Sequence, residues 1–248
     1  MRREHGMRER TALVTGGTRG IGRAIVEALV AEGRTVAFTW RSDQARASEV
    51  ERSCGGRAVA FPMDLRDRSR PASLVQEVED RLGAIEALVN SAAVQHSKLL
   101  AMTSDELWDE VIDTNLGGAF RLCREVVRSM TLQRRGVIVN LSSLSARFGV
   151  AGHGAYAASK AGLVAMTRCL AREMGRRNVR VNAVLAGYVP TDMTSSLSDE
   201  VVERLRAGEC LAAGTAPVDV ASAVTFLLSD RAAAITGQTL IVDAGTSA

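Results

Sequence analysis

Tyr156 and Lys160 stand four residues apart in Y-A-A-S-K, in a chain with two tyrosines, two lysines and 29 arginines. Four residues is about one helical turn, so on a helix the phenol and the ammonium share a face. A free phenol titrates near ~10 and exchanges protons poorly at neutral pH. An ammonium about 5 Å away, at an effective dielectric of about 20, favours the phenolate by roughly 3 kcal/mol, or about two pK units. The pair therefore reads as a general acid, Tyr156, acidified by a fixed charge, Lys160. A compact ammonium suits that task, whereas the wide planar fork of Arg does not.

A second chemistry lies in T15-G-G-T-R-G-I-G22, directly after a short apolar run. Glycines at a strand-to-helix turn let backbone approach a pyrophosphate, and the following helix start offers free N–H groups and a positive dipole. Gly16, Gly20 and Gly22 are the expected cradle, with Thr18, Arg19 and Ile21 between them. An NAD site places an acid at the end of the second strand, where it accepts from the ribose 2′-hydroxyl. Here that position holds Trp40, followed by Arg41, and Arg19 sits in the turn itself. Two guanidiniums favour a 2′-phosphate, hence NADPH/NADP+. Asp43 is the nearest acid, three residues later.

These residues need a scaffold. Apolar runs at 11–15, 35–40, 57–64, 85–90, 136–143, 179–187 and 238–245 read as strands. Helical segments are expected at 42–54, 70–82, 104–132, 154–175 and 218–230, besides the one that opens after the glycine turn. Continuous apolar strands alternating with helices mean βαβ units and a parallel sheet covered on both faces. The expected fold is a single-domain, Rossmann-like doubly wound α/β sheet of about seven strands over residues 9–248. Residues 1–8 are expected to be a flexible tail, with Met7 as an alternative start, and 188–216 an irregular or lightly helical substrate lid.

Composition narrows the classes. Hydrophobic residues make up 46% and charged residues 24%, as in ordinary soluble proteins. The net charge of +3 comes without a basic block, and aromatics are only 4%, which argues against nucleic acid. No apolar run reaches the roughly 18 residues of a membrane span. The scattered Cys54, Cys123, Cys169 and Cys210 form no C-x-x-C, and three histidines are too few for a metal site or a Ser-His-Asp triad. A cytoplasmic protein without metal is expected.

With Y-A-A-S-K, the Gly-x-x-x-Gly-x-Gly turn resembles the short-chain dehydrogenase/reductase family, from about residue 10 to the end. TGGTRGIGRAI, DTNL, NLSS, YAASKAGL, VRVNAV, TDMT and ITGQTL fall in the family's order. More narrowly the chain resembles the 3-oxoacyl-carrier-protein reductases. The resemblance implies NADPH-dependent reduction of a 3-oxoacyl thioester on acyl carrier protein, in fatty acid or polyketide synthesis, by a homotetramer joined through two long helices and the C-terminal strand. It implies that Ser143 holds the substrate carbonyl oxygen, with Ser145 a weaker candidate, and that Asn115 opens its helix and holds a water feeding protons to Lys160. It places Asp64 and Leu65 at the adenine (Asp64 could instead be a turn former), Asn90 to Ala92 along the cofactor, and Gly187, Val189 and Thr191 near the carboxamide. Arg134 and Arg177 fall where carrier-binding arginines sit, and read equally as solvated helix-end arginines. Two departures stand out: N90-S-A-A93 for the usual Asn-Asn-Ala-Gly, and A186-G187 for Pro-Gly. The alternatives are a reductase of a free small ketone, sugar or polyol, and a non-catalytic NADP-binding protein.

Overall fold

A computed structural model describes residues 11–195 and 197–248. The expected tail at 1–8 lies outside the described residues. Seven strands form one parallel sheet in the order β3-β2-β1-β4-β5-β6-β7. They are β1 Thr11–Val14, β2 Thr35–Trp40, β3 Ala58–Pro62, β4 Ile85–Asn90, β5 Gly136–Ser143, β6 Val179–Ala186 and β7 Thr239–Val242. The helices are α1 Gly20–Ala31, α2 Gln44–Ser53, α3 Arg70–Leu82, α4 Asp105–Ile112, α5 Gly118–Gln133, α6 Ser145–Phe148, α7 Gly154–Met174, α8 Asp199–Ala207 and α9 Pro217–Leu228. This is the doubly wound α/β architecture that continuous apolar strands require.

Two apolar layers sandwich the sheet. Ile25, Leu29, Phe38, Val89, Val184 and Val224 belong to one, beneath α1 and α9. Leu13, Phe61, Leu88, Leu122, Met130 and Ile138 belong to the other, beneath α3 and α5. The strand order reverses between β1 and β4, because β2 and β3 lie to one side of β1 and β4 to β7 to the other. Such a reversal opens a crevice at the carboxyl ends of the central strands.

One helix differs from its expected form. The run 104–132 divides into α4 and α5, joined by a π-helical turn at Asp113–Gly117. The insertion is held by named contacts. Arg121 donates to Asp113 Oδ1 at 2.8 Å, to the Asp113 carbonyl at 3.1 Å and to the Leu65 carbonyl at 2.6 Å. Gly117 and Gly118 make the packing possible. A Cβ on Gly117 would lie 2.7 Å from Asp113 Oδ1, and one on Gly118 2.7 Å from Leu65 Cβ. Segment 188–216, expected to be irregular or lightly helical, carries the nine-residue helix α8.

Candidate active site

A cleft of about 1000 Å³ runs across the carboxyl ends of the strands, from the glycine turn to the start of α7. At its cofactor-shaped end the chain turns on Gly16 (φ +71°) and Gly20 (φ +54°), where the left-handed backbone favours glycine. Gly22 is required by space: a Cβ there would lie 2.1 Å from the Gly16 carbonyl oxygen. Helix α1 has no side-chain cap and no acid in its first turn. Its leading N–H groups are therefore left for an anion. Gly16, Thr18, Arg19, Gly20, Ile21, Gly22, Arg41, Asp64, Leu65 and Ala92 all line the cleft, as do Gly187, Val189 and Thr191 across from them. This cradle fits a dinucleotide phosphate.

Asp43 is not free to take an NAD role alone. It caps α2, accepting the Arg46 N–H at 2.9 Å, and it pairs with the Arg46 guanidinium at 3.2 Å. Arg46, which sequence reading missed, adds a third guanidinium to the wall holding Arg19 and Arg41. Asp64 accepts from the backbone and side chain of Arg66. Burial works to raise its carboxyl, but the Arg66 bonds outweigh burial and hold it below the usual range.

Asn90 departs from expectation. Its register pairs it with Asn140 in the sheet interior, where its amide donates to Asn140 Oδ1 at 2.8 Å and to Cys123 Sγ at 3.3 Å. Asn140 passes the chain on to Thr167 Oγ1 at 2.8 Å. The wall expected from Asn90 is instead made by Ser91 to Gln95. Gly187 is required by space. Its φ is unexceptional, but a Cβ there would meet Asp243 Cβ at 2.7 Å. Close packing against the loop after β7, rather than backbone freedom, demands glycine.

At the other end α7 presents Tyr156 and Lys160, both buried. Lys160 Nζ donates to the Leu141 carbonyl of β5 at 2.7 Å and lies 5.6 Å from the centre of the Tyr156 ring. Ser142 does not face the chemistry: its hydroxyl donates to the Lys160 carbonyl at 2.9 Å and fastens α7 to β5. Ser143 accepts from the Ser145 N–H at 3.2 Å and donates to Ser145 Oγ at 3.4 Å, and it lines the same cleft as Tyr156. Burial pushes the Tyr156 phenol up to about 12, only partly offset by Ser143, and pushes the Lys160 ammonium down to about 8. The expected acidified phenol is therefore not what the cleft gives. Desolvation disfavours both charged forms, and only the Ser143 hydroxyl works against it at the phenol. At neutral pH Tyr156 carries its proton and Lys160 its charge.

Asn115 falls in the π turn, in line with the expected local opening of the helix, but its side chain is committed to structure. Oδ1 accepts the Val94 N–H at 2.8 Å, while Nδ2 donates to the Val94 carbonyl at 2.9 Å and to Ser159 Oγ at 3.1 Å. It sits behind the cleft, whose wall here is Thr114, with an unpartnered buried hydroxyl. Beyond Tyr156 the cleft is lined by Phe148, Val150, Met193, Leu197, Val201 and Leu205, with Gln95 bonded to His153 at 3.0 Å. Arg134 and Arg177 are not brought to the cleft. They precede β5 and β6, at the amino ends of the strands, where Arg134 donates to the Arg176 carbonyl at 3.3 Å. Eight-residue β5 puts about 23 Å between that edge and Ser143.

Fold and cleft together are those of a nicotinamide-dependent oxidoreductase acting between C=O and CH–OH. Residues 16–247 match the family model described as enoyl-(acyl carrier protein) reductase, and the chain belongs to the short-chain dehydrogenase/reductase family. Among curated proteins it is 38% identical to the 3-oxoacyl-(acyl-carrier-protein) reductase FabG of Staphylococcus aureus strain Mu50, over 95% of this chain and 97% of that one. It is 39% identical to the FabG of Salmonella typhimurium strain LT2, over 94% of this chain and 96% of that one. The FabG of Escherichia coli strain K12 is 38% identical over the same shares.

Proposed function

We propose that the chain reduces a 3-oxoacyl thioester on acyl carrier protein to the 3-hydroxyacyl form with NADPH. One observation carries this: the protonated Tyr156, the Ser143 hydroxyl and the charged Lys160 meet in the same cleft that has a glycine cradle and three guanidiniums at its other end. NADPH supplies the hydride. Ser143 holds the ketone oxygen, Tyr156 gives that oxygen its proton, and Lys160 lowers the cost of the phenolate left behind. Asn115 acts through the wall it fixes at Val94, rather than through its side chain at the proton path. A hydroxyl poised beside the acid suits a carbonyl oxygen more than a C=C bond. The apolar mouth suits an acyl chain and disfavours sugars and polyols.

In this reading 188–216 is the substrate lid of one reductase domain, and the protein is a cytoplasmic homotetramer. Among the described residues no helix is long and apolar enough to cross a membrane. Exposed Phe120 on α5 and Leu240 on β7 favour assembly through those surfaces. A polyketide intermediate would satisfy the same site as a fatty one.

The test is NADPH oxidation on four substrates: a 3-oxoacyl chain on carrier protein, the same chain on pantetheine, a free ketone, and an enoyl thioester. The carrier-bound 3-oxo substrate is expected to give the highest kcat/KM, and Tyr156→Phe should lower its kcat about 10²–10⁴-fold with NADPH binding intact. Preference for the free ketone or the enoyl thioester would refute the assignment. NADPH binding without turnover of any ketone would leave a cofactor-binding protein.

A further inference from the structure

Asp192 follows β6 and reaches back to the basic wall of the cleft. Its Oδ2 lies 2.5 Å from Arg46 Nη1 and 3.7 Å from Arg19 Nη1. The two guanidiniums come from different elements, α2 and the glycine turn, and converge on one carboxylate oxygen. Convergent guanidiniums are how proteins hold a phosphate oxygen. The Asp192 carboxyl, held well below the usual carboxylate range first by its bond to Arg46, is ionised at neutral pH. The spot is thus already filled by an anion belonging to the chain.

A phosphate monoester carries about −1.5 to −2 at neutral pH. It cannot share these guanidiniums with a carboxylate at contact distance without repulsion. Nor can Arg46 swing freely to meet it, because Asp43 holds its Nε from the other side. The movable partner is Asp192, which sits in an irregular stretch between β6 and α8, just beyond the Thr191 side chain that packs on Gly20.

We propose that Asp192 is an internal stand-in for phosphate, displaced from Arg19 and Arg46 by the 2′-phosphate of NADPH. The carboxylate then limits affinity for the phosphorylated cofactor, and its release frees the chain leading into α8. This rests on the NADPH assignment above but on no assumption about the ketone.

Binding, not turnover, tests it. Dissociation constants for NADPH and NADH are measured by fluorescence titration for the wild type, Asp192→Asn, Arg46→Ala and the double variant. Asp192→Asn should bind NADPH about two- to fivefold tighter, the range of an exposed charge contact, and NADH unchanged within error. The gain should vanish when Arg46 is already Ala. Hydrogen exchange across 190–208 should speed up on adding NADPH but not NADH, and start fast in Asp192→Asn. Unchanged or weaker NADPH binding, an equal gain for NADH, or exchange blind to NADPH would each overturn the proposal. A wild type that prefers NADH would instead overturn the cofactor assignment, and this inference with it.

Discussion

Replacing Lys160 by Met should make the protein more stable at neutral pH while disabling it as a reductase. Lys160 is buried, and burial moves its ammonium from the ordinary 10.5 to about 8. A difference of about 2.5 units corresponds to roughly 3 kcal/mol of native-state penalty when the group is charged. Removing the ammonium also strips the Leu141 carbonyl of its donor, which costs about 1–3 kcal/mol. The net gain at pH 7 is therefore small, about 0–2 kcal/mol. Its pH dependence is the sharper signature. Between pH 8 and 10.5 the unfolded lysine is protonated and the folded one is not, so wild-type stability rises with pH relative to Lys160→Met. The penalty is full below about 8 and gone above 10.5. From pH 7 to 9.5 the difference between the two proteins should shift by about 2 kcal/mol in favour of the wild type, or roughly 4–8 °C in Tm. Tyr156 does not confuse the comparison, because both proteins keep it and even the unfolded phenol, at 10.0, titrates above the highest pH measured, 9.5. Urea denaturation at pH 7, 8.5 and 9.5 measures the gap. A difference constant across those pH values would show that Lys160 is not desolvated as described.

Three further outcomes follow from contacts in the site. Gly22→Ala forces a Cβ to 2.1 Å from the Gly16 carbonyl; fluorescence titration should show NADPH affinity reduced more than tenfold, with the turn unable to keep its shape. Asn115→Ala removes three hydrogen bonds that hold Val94 and Ser159; urea melts should show a loss of about 2–4 kcal/mol, and steady-state kinetics a raised KM. Ser143→Ala leaves the ketone oxygen with Tyr156 as its one remaining donor among the two assigned here; kcat should fall about 10²-fold, while the NADPH dissociation constant holds.

The scaffold was legible because each strand is a continuous apolar run, and β2, β4 and β5 begin and end where those runs do. The cradle was legible too, since a glycine triplet at a strand end has few other uses. Lateral contacts were not. Arg46 and Asp192 are 146 residues apart and meet only because the segment after β6 reaches back to the glycine turn. Asn90 was misplaced because sequence does not say which face a strand's last residue presents, and here it faces Asn140. The phenol's direction was misjudged because charge proximity can be guessed from spacing, whereas depth of burial cannot.

The loop after β7 holds the far end of 188–216: the N–H groups of Cys210 and Leu211 both donate to the Ala244 carbonyl, at 2.8 and 3.0 Å. Everything that grips phosphate or bears the reacting hydroxyls is encoded before residue 195. The cover over the cleft is thus tethered at a point that neither the glycine turn nor α7 supplies, and its freedom to lift is set by a strand end on the far side of the sheet.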